Sequence, residues 1–216
     1  MAASVNTRRY HSPARRAAAD RTRSRILRTA RQLFLSKGYA ATSVAEIARK
    51  ARVSVDTVYT SVGRKPELLV AVHDMTLAGG PEPVAAEQRD YVREIRGAPT
   101  ARLKLEAYAA ALGRVLPTSV PLLQALRSAG TTDPACLAVF TSVSDRRAAN
   151  MRLFVADLRA TGELRDDLTD EWVADLVWSM NSPDYFELIC SRGCSADQYA
   201  ALLVEVWSHT LLRGPG

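Results

Sequence analysis

Two serines, Ser43 and Ser54, divide the segment between Gly38 and Gly63 into two short stretches with apolar residues at helical spacing. A serine at such a position accepts a hydrogen bond from a free amide of the first helical turn, so each serine marks a helix start. Glu46, three residues after Ser43, completes the pattern of a capping box. The residues between the stretches are too few for anything but a turn. The segment therefore predicts two short helices joined by a tight turn.

Longer helical patterns flank this pair. Apolar residues at helical spacing predict a first helix over about 20–37, ended by Gly38, and a fourth helix that opens with Pro66 at its first position. A break at 79–83 precedes the rest of the chain. There we predict helices over about 86–95, 100–115, 120–129, 134–160, 169–181 and 196–212, with breaks that include Pro117 and with a short helical or irregular piece at 184–189. No alternating strand pattern occurs, so the predicted fold class is all-α.

Charge is distributed unevenly along the chain. Residues 1–65 contain 15 Lys and Arg against three acids, a net charge of +12, whereas the remainder has a net charge of −6. This asymmetry predicts that the first third meets a polyanion, although a solvated basic tail is the alternative. Residues 1–19 are expected to form a flexible basic arm. Its arginines either follow a DNA backbone or a minor groove, or belong to a disordered tail: Arg8, Arg9, Arg15 and Arg16.

The two short helices and their flanks carry a family resemblance. The residues that carry it are Thr42, Ser43, Val44, Ile47, Ala48, Ala51, Val53, Ser54, Thr57 and Tyr59, followed by Lys65, Leu68 and Leu69. This pattern resembles the DNA-binding domain of TetR-type regulators, and the likeness covers residues 20–75. Two departures stand out: Arg52 replaces a glycine usual in the family, and Ser61-Val62 replaces a His-Phe pair.

The resemblance implies a domain plan and a function. It predicts the basic arm at 1–19, a three-helix helix-turn-helix domain at 20–66, and a helical ligand-sensing and dimerisation domain at 67–216. A homodimer of this type binds a pseudo-palindromic operator in double-stranded DNA and is released by a small-molecule effector. Repression is the expected outcome. A transcriptional activator and a nonspecific DNA-binding protein of the same fold are the alternatives.

The third helix is expected to enter the major groove, which is wide enough for one helix. The residues expected to face base edges are Val55, Asp56, Thr57 and Thr60. Val55 offers a contact for a thymine methyl, and Asp56 offers an acceptor for a cytosine amine or a partner for a nearby arginine. The resemblance implies phosphate contacts for Thr42, Ser43, Tyr59 and Lys65.

The remaining helices supply two further sets of candidates. A ligand pocket is predicted to be lined by Tyr91, Tyr108, Phe140, Met151, Phe154 and Trp178. Ordinary core packing is the alternative for each of these side chains. A dimer interface is predicted from residues at helical spacing near the C-terminus: Trp172, Val173, Leu176, Val177, Leu202, Leu203, Val206 and Trp207.

Other functional classes find little support. The sequence has no HExxH, GxSxG, P-loop or GxGxxG motif, so we expect neither an enzyme nor a cofactor. Cys136, Cys190 and Cys194 are too few for a disulfide framework and lack the partners of a zinc site, so reduced thiols and no bound metal are expected. No apolar run is long enough for a membrane span or a secretory signal, which makes the cytoplasm the expected compartment.

Overall fold

The computed structural model describes residues 13–80 and 84–214, and these ranges are built from α-helices. The helices are α1 (Pro13–Ala41), α2 (Val44–Ala51), α3 (Val55–Ser61), α4 (Lys65–Ala78), α5 (Asp90–Gly97), α6 (Ala101–Gly130), α7 (Pro134–Arg159), α8 (Asp170–Met180), α9 (Pro183–Cys190) and α10 (Ala196–Leu211), with a 3-10 turn at Ala86–Gln88. The predicted all-α fold class is confirmed. Within the described ranges, every helix is too short or too polar to span a bilayer.

The starts of α2 and α3 agree with the predicted caps. Ser43 Oγ accepts a hydrogen bond from the Glu46 amide at 3.1 Å, and Ser54 Oγ accepts one from the Thr57 amide at 3.0 Å. The capping box at Ser43 is only half formed, because the Glu46 carboxylate pairs with Lys37 Nζ at 2.5 Å instead of reaching back. This ion pair connects α2 to the end of α1.

The turn between α2 and α3 requires a left-handed residue. Arg52 has φ 54° and ψ 50°, and its amide donates to the last carbonyls of α2. It is the one non-glycine residue with positive φ in the ranges 13–80 and 84–214. The family's usual glycine suits this conformation because it has no Cβ, so Arg52 carries a conformational cost.

The first helix is longer than predicted. It begins at Pro13 rather than near residue 20, and the backbone leaves the helical region at Gly38 (φ 81°) before a last turn that ends at Ala41. Alanine and arginine favour helix and proline fits a first helical position, so residues 13–19 extend α1 instead of forming an arm. Arg15 and Arg16 are exposed on this extension. The remainder of the predicted arm, with Arg8 and Arg9, lies outside the described residues.

Helix α6 corrects the predicted break at Pro117. The helix runs without interruption through Pro117 and Pro121, which lie one turn apart on its exposed side. Each proline removes one backbone hydrogen bond, but the opposite side of the same segment is buried through Leu116, Val120 and Leu123. Packing of that apolar side therefore keeps one helix where the sequence predicts two.

Two apolar clusters organise the described chain. The first joins α1, α2, α3 and α4, and it includes Leu122 and Leu126 of α6 and Cys136 of α7. The second fills the space between α6, α7, α8 and α10, where Tyr199 and Trp207 are fully buried. Helices α6 and α7 contribute to both clusters, so the N-terminal helices rest directly on the helices that form the C-terminal core.

Candidate DNA-binding surface and internal cavity

Helix α3 has one side in the core and one side in solvent. Val58 is fully buried against the other N-terminal helices, whereas Asp56, Tyr59 and Thr60 are exposed. Val55 and Thr57 are partly exposed at the edges of this side. The five side chains that the sequence nominates on α3 thus lie on the surface, where they are available to a groove of DNA.

The hydroxyl groups of α3 are already used locally. Thr60 donates its proton to the Asp56 carbonyl at 2.8 Å, and the Thr57 and Ser54 hydroxyls share a hydrogen bond of 2.8 Å. A threonine that donates to the backbone keeps its oxygen as an acceptor and its methyl group for apolar contact. Asp56 and Thr60 on this side of α3 therefore favour partners that donate hydrogen bonds, whereas the exposed Tyr59 hydroxyl can itself donate.

The residues nominated for phosphate contacts fall into different environments. Thr42 is buried, and its hydroxyl donates to the Gly38 carbonyl at 2.8 Å. Its side chain therefore secures the turn after α1, and its nomination as a phosphate contact is not supported. Sequence pattern could not separate the two roles, since either one requires a hydroxyl. Ser43 and Tyr59 are exposed, and Tyr59 has 47% of its surface in solvent.

Lys65 opens α4 beside an aromatic ring. Its Nζ lies 4.2 Å from the centroid of Tyr39 and donates to the Ala40 carbonyl at 3.4 Å. Partial burial lowers the pKa of the Lys65 amine. Contact with the ring face holds the ammonium group at the end of α1, near the exposed start of α2.

Arg23 has a role that the sequence pattern does not reveal. Its guanidinium donates to the Ser61 carbonyl at the end of α3. The helical pattern of α1 places Arg23 on the outward side, which suggests a solvated charge. In the structure it instead fixes α3 against α1, so it positions the helix that carries the side chains predicted to face the groove.

An internal cavity of about 400 Å³ lies among α4, α5, α6 and α7 and also reaches the start of α9. Four of the nominated pocket residues line it: Tyr91, Tyr108, Met151 and Phe154. Phe140 packs instead against the N-terminal cluster, and Trp178 packs against the C-terminal cluster. For these two residues the arrangement agrees with the alternative of ordinary core packing, because an aromatic side chain at helical spacing fits either cluster as well as it fits a cavity.

A buried polar network crosses one part of the cavity wall. Asn181 Nδ2 donates to the Tyr108 hydroxyl at 2.7 Å, and Arg147 donates to Asn181 Oδ1 and, at 2.9 Å, to the Trp178 carbonyl. Burial raises the pKa of the Tyr108 hydroxyl, which therefore stays protonated. The network joins α6, α7 and the end of α8, and it was absent from the sequence-based prediction.

A second polar group borders the cavity on α4. His73 is buried, and its Nδ1 has no hydrogen-bond partner in the described part of the chain; the nearest carboxylate oxygen, on Asp74, is 3.8 Å away. Burial lowers the pKa of the imidazole, so His73 is neutral at pH 7. Arg89, after the 3-10 turn, lies beside the same carboxylate at 3.9 Å. The cavity thus has polar groups on α4, before α5, and on α7.

The nominated dimer residues divide into two sets. Val173, Val177, Leu203 and Trp207 are fully buried within the single chain, so they belong to its own core and their nomination is corrected. Trp172 is 45% exposed, and Leu176, Leu202 and Val206 are partly exposed. Helical spacing identified an apolar helix but could not indicate which of its sides faces its own core.

The described geometry defines an all-helical protein with a helix-turn-helix unit at one end and a cavity-containing helical body at the other. Residues 26–72 match the family described as bacterial regulatory proteins, tetR family. Over these residues, which lie in α1 to α4, the chain is therefore similar to the DNA-binding domain of the tetR family. No curated protein matches the sequence.

Solved structures share the fold over nearly the whole chain. A transcriptional regulator from Saccharomonospora viridis in complex with choline is 19% identical, with a TM-score of 0.68 over 92% of this chain and 100% of that one. A TetR-family regulator from Rhodococcus sp. is 18% identical, with a TM-score of 0.65 over 88% of this chain and 98% of that one. NalD, the secondary repressor of the MexAB-OprM multidrug efflux pump in Pseudomonas aeruginosa, is 19% identical. Its TM-score is 0.64 over 92% of this chain and 100% of that one. At these identities the likeness establishes the fold.

Proposed function

We propose that this protein is a ligand-responsive transcriptional regulator that binds a pseudo-palindromic operator as a homodimer and represses until a small effector enters the cavity. The observation that carries the proposal is the exposed side of α3, where Asp56, Tyr59 and Thr60 face solvent while Val58 anchors the helix. A basic N-terminal third supports the proposal, because positive charge raises affinity for any phosphate backbone.

Helix α4 provides the mechanical link between ligand and DNA. Lys65 lies at its first residue, beside α1 and α2, whereas His73 and Leu77 line the cavity further along the same helix. A ligand that displaces the cavity end of α4 also moves the end beside the DNA-binding helices. Such a ligand lowers operator affinity only if it binds the non-DNA-binding conformation more tightly than the DNA-binding one.

The homodimer is proposed to form through α8 and α10. Trp172 and Leu176 of α8, with Leu202 and Val206 of α10, retain exposed apolar surface after the chain has formed its own core. Replacing Trp172 with Glu is expected to convert the dimer into a monomer, because burying an unpaired carboxylate in an apolar interface is costly. Light scattering coupled to size exclusion measures this change, and a mass unaffected by the substitution contradicts the proposed interface.

The function is tested by selecting preferred sites from fragments of genomic DNA with the full chain. A discrete palindromic site at moderate salt is the expected result; uniform binding with a steep salt dependence identifies a nonspecific binder instead. Tyr59→Phe and Lys65→Ala are expected to weaken binding similarly on all sequences, whereas Asp56→Asn is expected to change the preferred bases. Arg152→Gln, an exposed change on α7, is the matched control. Affinity unchanged in both Tyr59→Phe and Lys65→Ala contradicts the placement of α3 in the groove.

A further inference from the structure

Arg147 lines the cavity without an acidic partner. Its Nη2 donates to two neutral acceptors, the Trp178 carbonyl at 2.9 Å and Asn181 Oδ1. Within 13–80 and 84–214 no carboxylate comes within ion-pair distance of it, and its Nε and Nη1 have no protein acceptor. A largely desolvated charge is costly unless an opposite charge compensates it. The side of this guanidinium that is not held by protein therefore favours an anion.

The guanidinium is fixed before any ligand arrives. Besides its two hydrogen bonds, Arg147 lies with its central carbon 5.4 Å from the centroid of the Trp178 ring. Asn181 is itself held by the Tyr108 hydroxyl at 2.7 Å. Because these contacts already order the long side chain, an incoming anion loses little affinity to side-chain ordering.

A second arginine of the wall, which is buried, adds to the same charge. Arg89 is 9% exposed, and its Nε has no partner in the described residues. Its nearest carboxylate, Asp74 at 3.9 Å, is shared with Arg146 at 3.4 Å. Arg89 Nη1 lies 3.5 Å from the Tyr91 hydroxyl, a group that also lines the cavity. The wall therefore holds one buried guanidinium group, that of Arg89, and one half-buried group, that of Arg147, and Asp74 lies near the first of them only.

The other charges of the wall do not cancel this excess. Asp157 is occupied by Lys104, whose Nζ lies 3.1 Å from its carboxylate. Glu87 and Arg96 are both exposed, where water screens them. Most of the remaining wall is apolar, including side chains from α5, α6 and α7. Asp184 attracts Arg147 only from beyond ion-pair distance, because its carboxylate pairs with Arg127. The cavity thus combines an apolar surface with a preorganised cation that has no carboxylate within ion-pair distance in the described residues.

We propose that the cavity binds a small amphipathic monoanion, with a carboxylate as its charged group, which pairs with Arg147 while its apolar part packs against Leu112, Leu116 and Phe154. This inference rests on the proposed function, in which the cavity is the effector site. Arg89 and the Tyr91 hydroxyl provide further donors on the same wall. A volume of about 400 Å³ accommodates a medium-chain or aromatic acid.

The first experiment uses the unmodified protein and three ligands of one shape. N-phenyl-1-naphthylamine, a neutral fluorescent probe, fills the cavity, and octanoate, octanol and octylamine then compete for it. Octanoate is expected to displace the probe at a concentration about tenfold or more below that of octanol, the effect of one charge-assisted contact. Octylamine is expected to be the weakest. The proposal is overturned if octanol or octylamine displaces the probe at the same concentration as octanoate.

The second experiment assigns the preference to Arg147. The probe 8-anilinonaphthalene-1-sulfonate has the same aromatic skeleton as the neutral probe and carries an added anionic group. Arg147→Gln is expected to lower the affinity for the anionic probe about tenfold and to change the affinity for the neutral probe by no more than about twofold. Arg147→Lys is expected to retain part of the preference for the anionic probe. The matched control, Arg152→Gln, lies on the exposed side of α7 and is expected to change neither. If Arg147→Gln keeps the anionic preference of the unmodified chain, the assignment is wrong; if it does not fold, the three-ligand competition decides.

Failure of this inference is separable from failure of the proposed function. Octanoate binding is measured without DNA, and DNA binding is measured without octanoate. A protein that binds a discrete operator but shows no preference for the anion refutes the ligand class alone. A protein that prefers the anion but selects no DNA site refutes the regulator and leaves an anion-binding helical protein.

Discussion

Replacing Arg52 with glycine is expected to stabilise the fold. Arg52 has φ 54°, a left-handed conformation that costs an L-amino acid roughly 1–2 kcal/mol. Glycine removes that cost but loses about 0.5–1 kcal/mol through its greater backbone freedom in the unfolded chain. The net gain for Arg52→Gly is therefore about 0.5–1 kcal/mol. For a chain of this length, roughly 2–4 °C of Tm corresponds to 1 kcal/mol, so Tm should rise by about 1–4 °C.

Thermal unfolding followed by circular dichroism at a fixed protein concentration measures this shift. Arg52→Ala is the matched control, because it removes the same charge and the same exposed side chain but keeps a Cβ in the left-handed conformation. It should therefore not raise Tm, whereas Arg52→Asn should fall between the two, since asparagine tolerates this region. A Tm that falls in Arg52→Gly, or rises equally in Arg52→Ala, refutes the strain argument and points to the charge instead.

Three further predictions concern stability. Ser54→Ala removes the acceptor of the Thr57 amide and should lower the free energy of unfolding by about 1 kcal/mol in urea titrations, whereas an unchanged midpoint argues against the cap. Burial lowers the pKa of His73, so the unfolded chain takes up a proton first as pH falls below about 6.5, and the stability of the folded chain declines. Tm measured from pH 7.5 to 5 should therefore decline less in His73→Gln than in the unmodified protein. An identical decline in both excludes His73 as its source. Lys104→Met leaves Asp157 without its cation and should lower the free energy of unfolding by roughly 2–3 kcal/mol in the same titrations. The expected loss is smaller than for a fully buried pair, because the Asp157 carboxylate is one-third exposed. A loss below about 1 kcal/mol contradicts this role of the ion pair.

Local signals carried most of the fold prediction. The caps at Ser43 and Ser54 depend only on residues within one helical turn, so sequence spacing was sufficient to place the starts of α2 and α3. The turn between them was predicted from its short length, whereas the left-handed conformation of Arg52 was not. These features are determined by backbone geometry, which a short segment of sequence specifies well.

Features that depend on distant packing were less predictable. The break expected at Pro117 does not occur, because apolar residues on the far side of α6 pack against other helices. Thr42 was predicted to contact a DNA phosphate, but its hydroxyl closes the turn after α1. Trp207 was predicted to contact a partner chain, but it is buried in the core of its own chain. In each case the residue type was informative, and only its surroundings decide its role.

The polar side of the cavity was the least visible part of the site. Arg147, Asn181 and Tyr108 come from separate helices, and no spacing in the sequence connects them. The prediction concentrated on aromatic and methionine side chains, which define the volume of a pocket but not its chemistry. An unpaired charge becomes evident only when every neighbouring carboxylate has been located.

The same helices that enclose the cavity also support the DNA-binding helices. Cys136 at the start of α7 lies in the N-terminal cluster, and its sulfur is 3.3 Å from the Tyr39 hydroxyl, whose ring in turn contacts Lys65. Further along α7, Arg147 and Met151 border the cavity. Helices α7 and α4 thus each contact both the cavity and the residues around Lys65. Under the proposed function, this shared packing is the reason to expect that a ligand in the cavity changes operator affinity through α4 and α7 together.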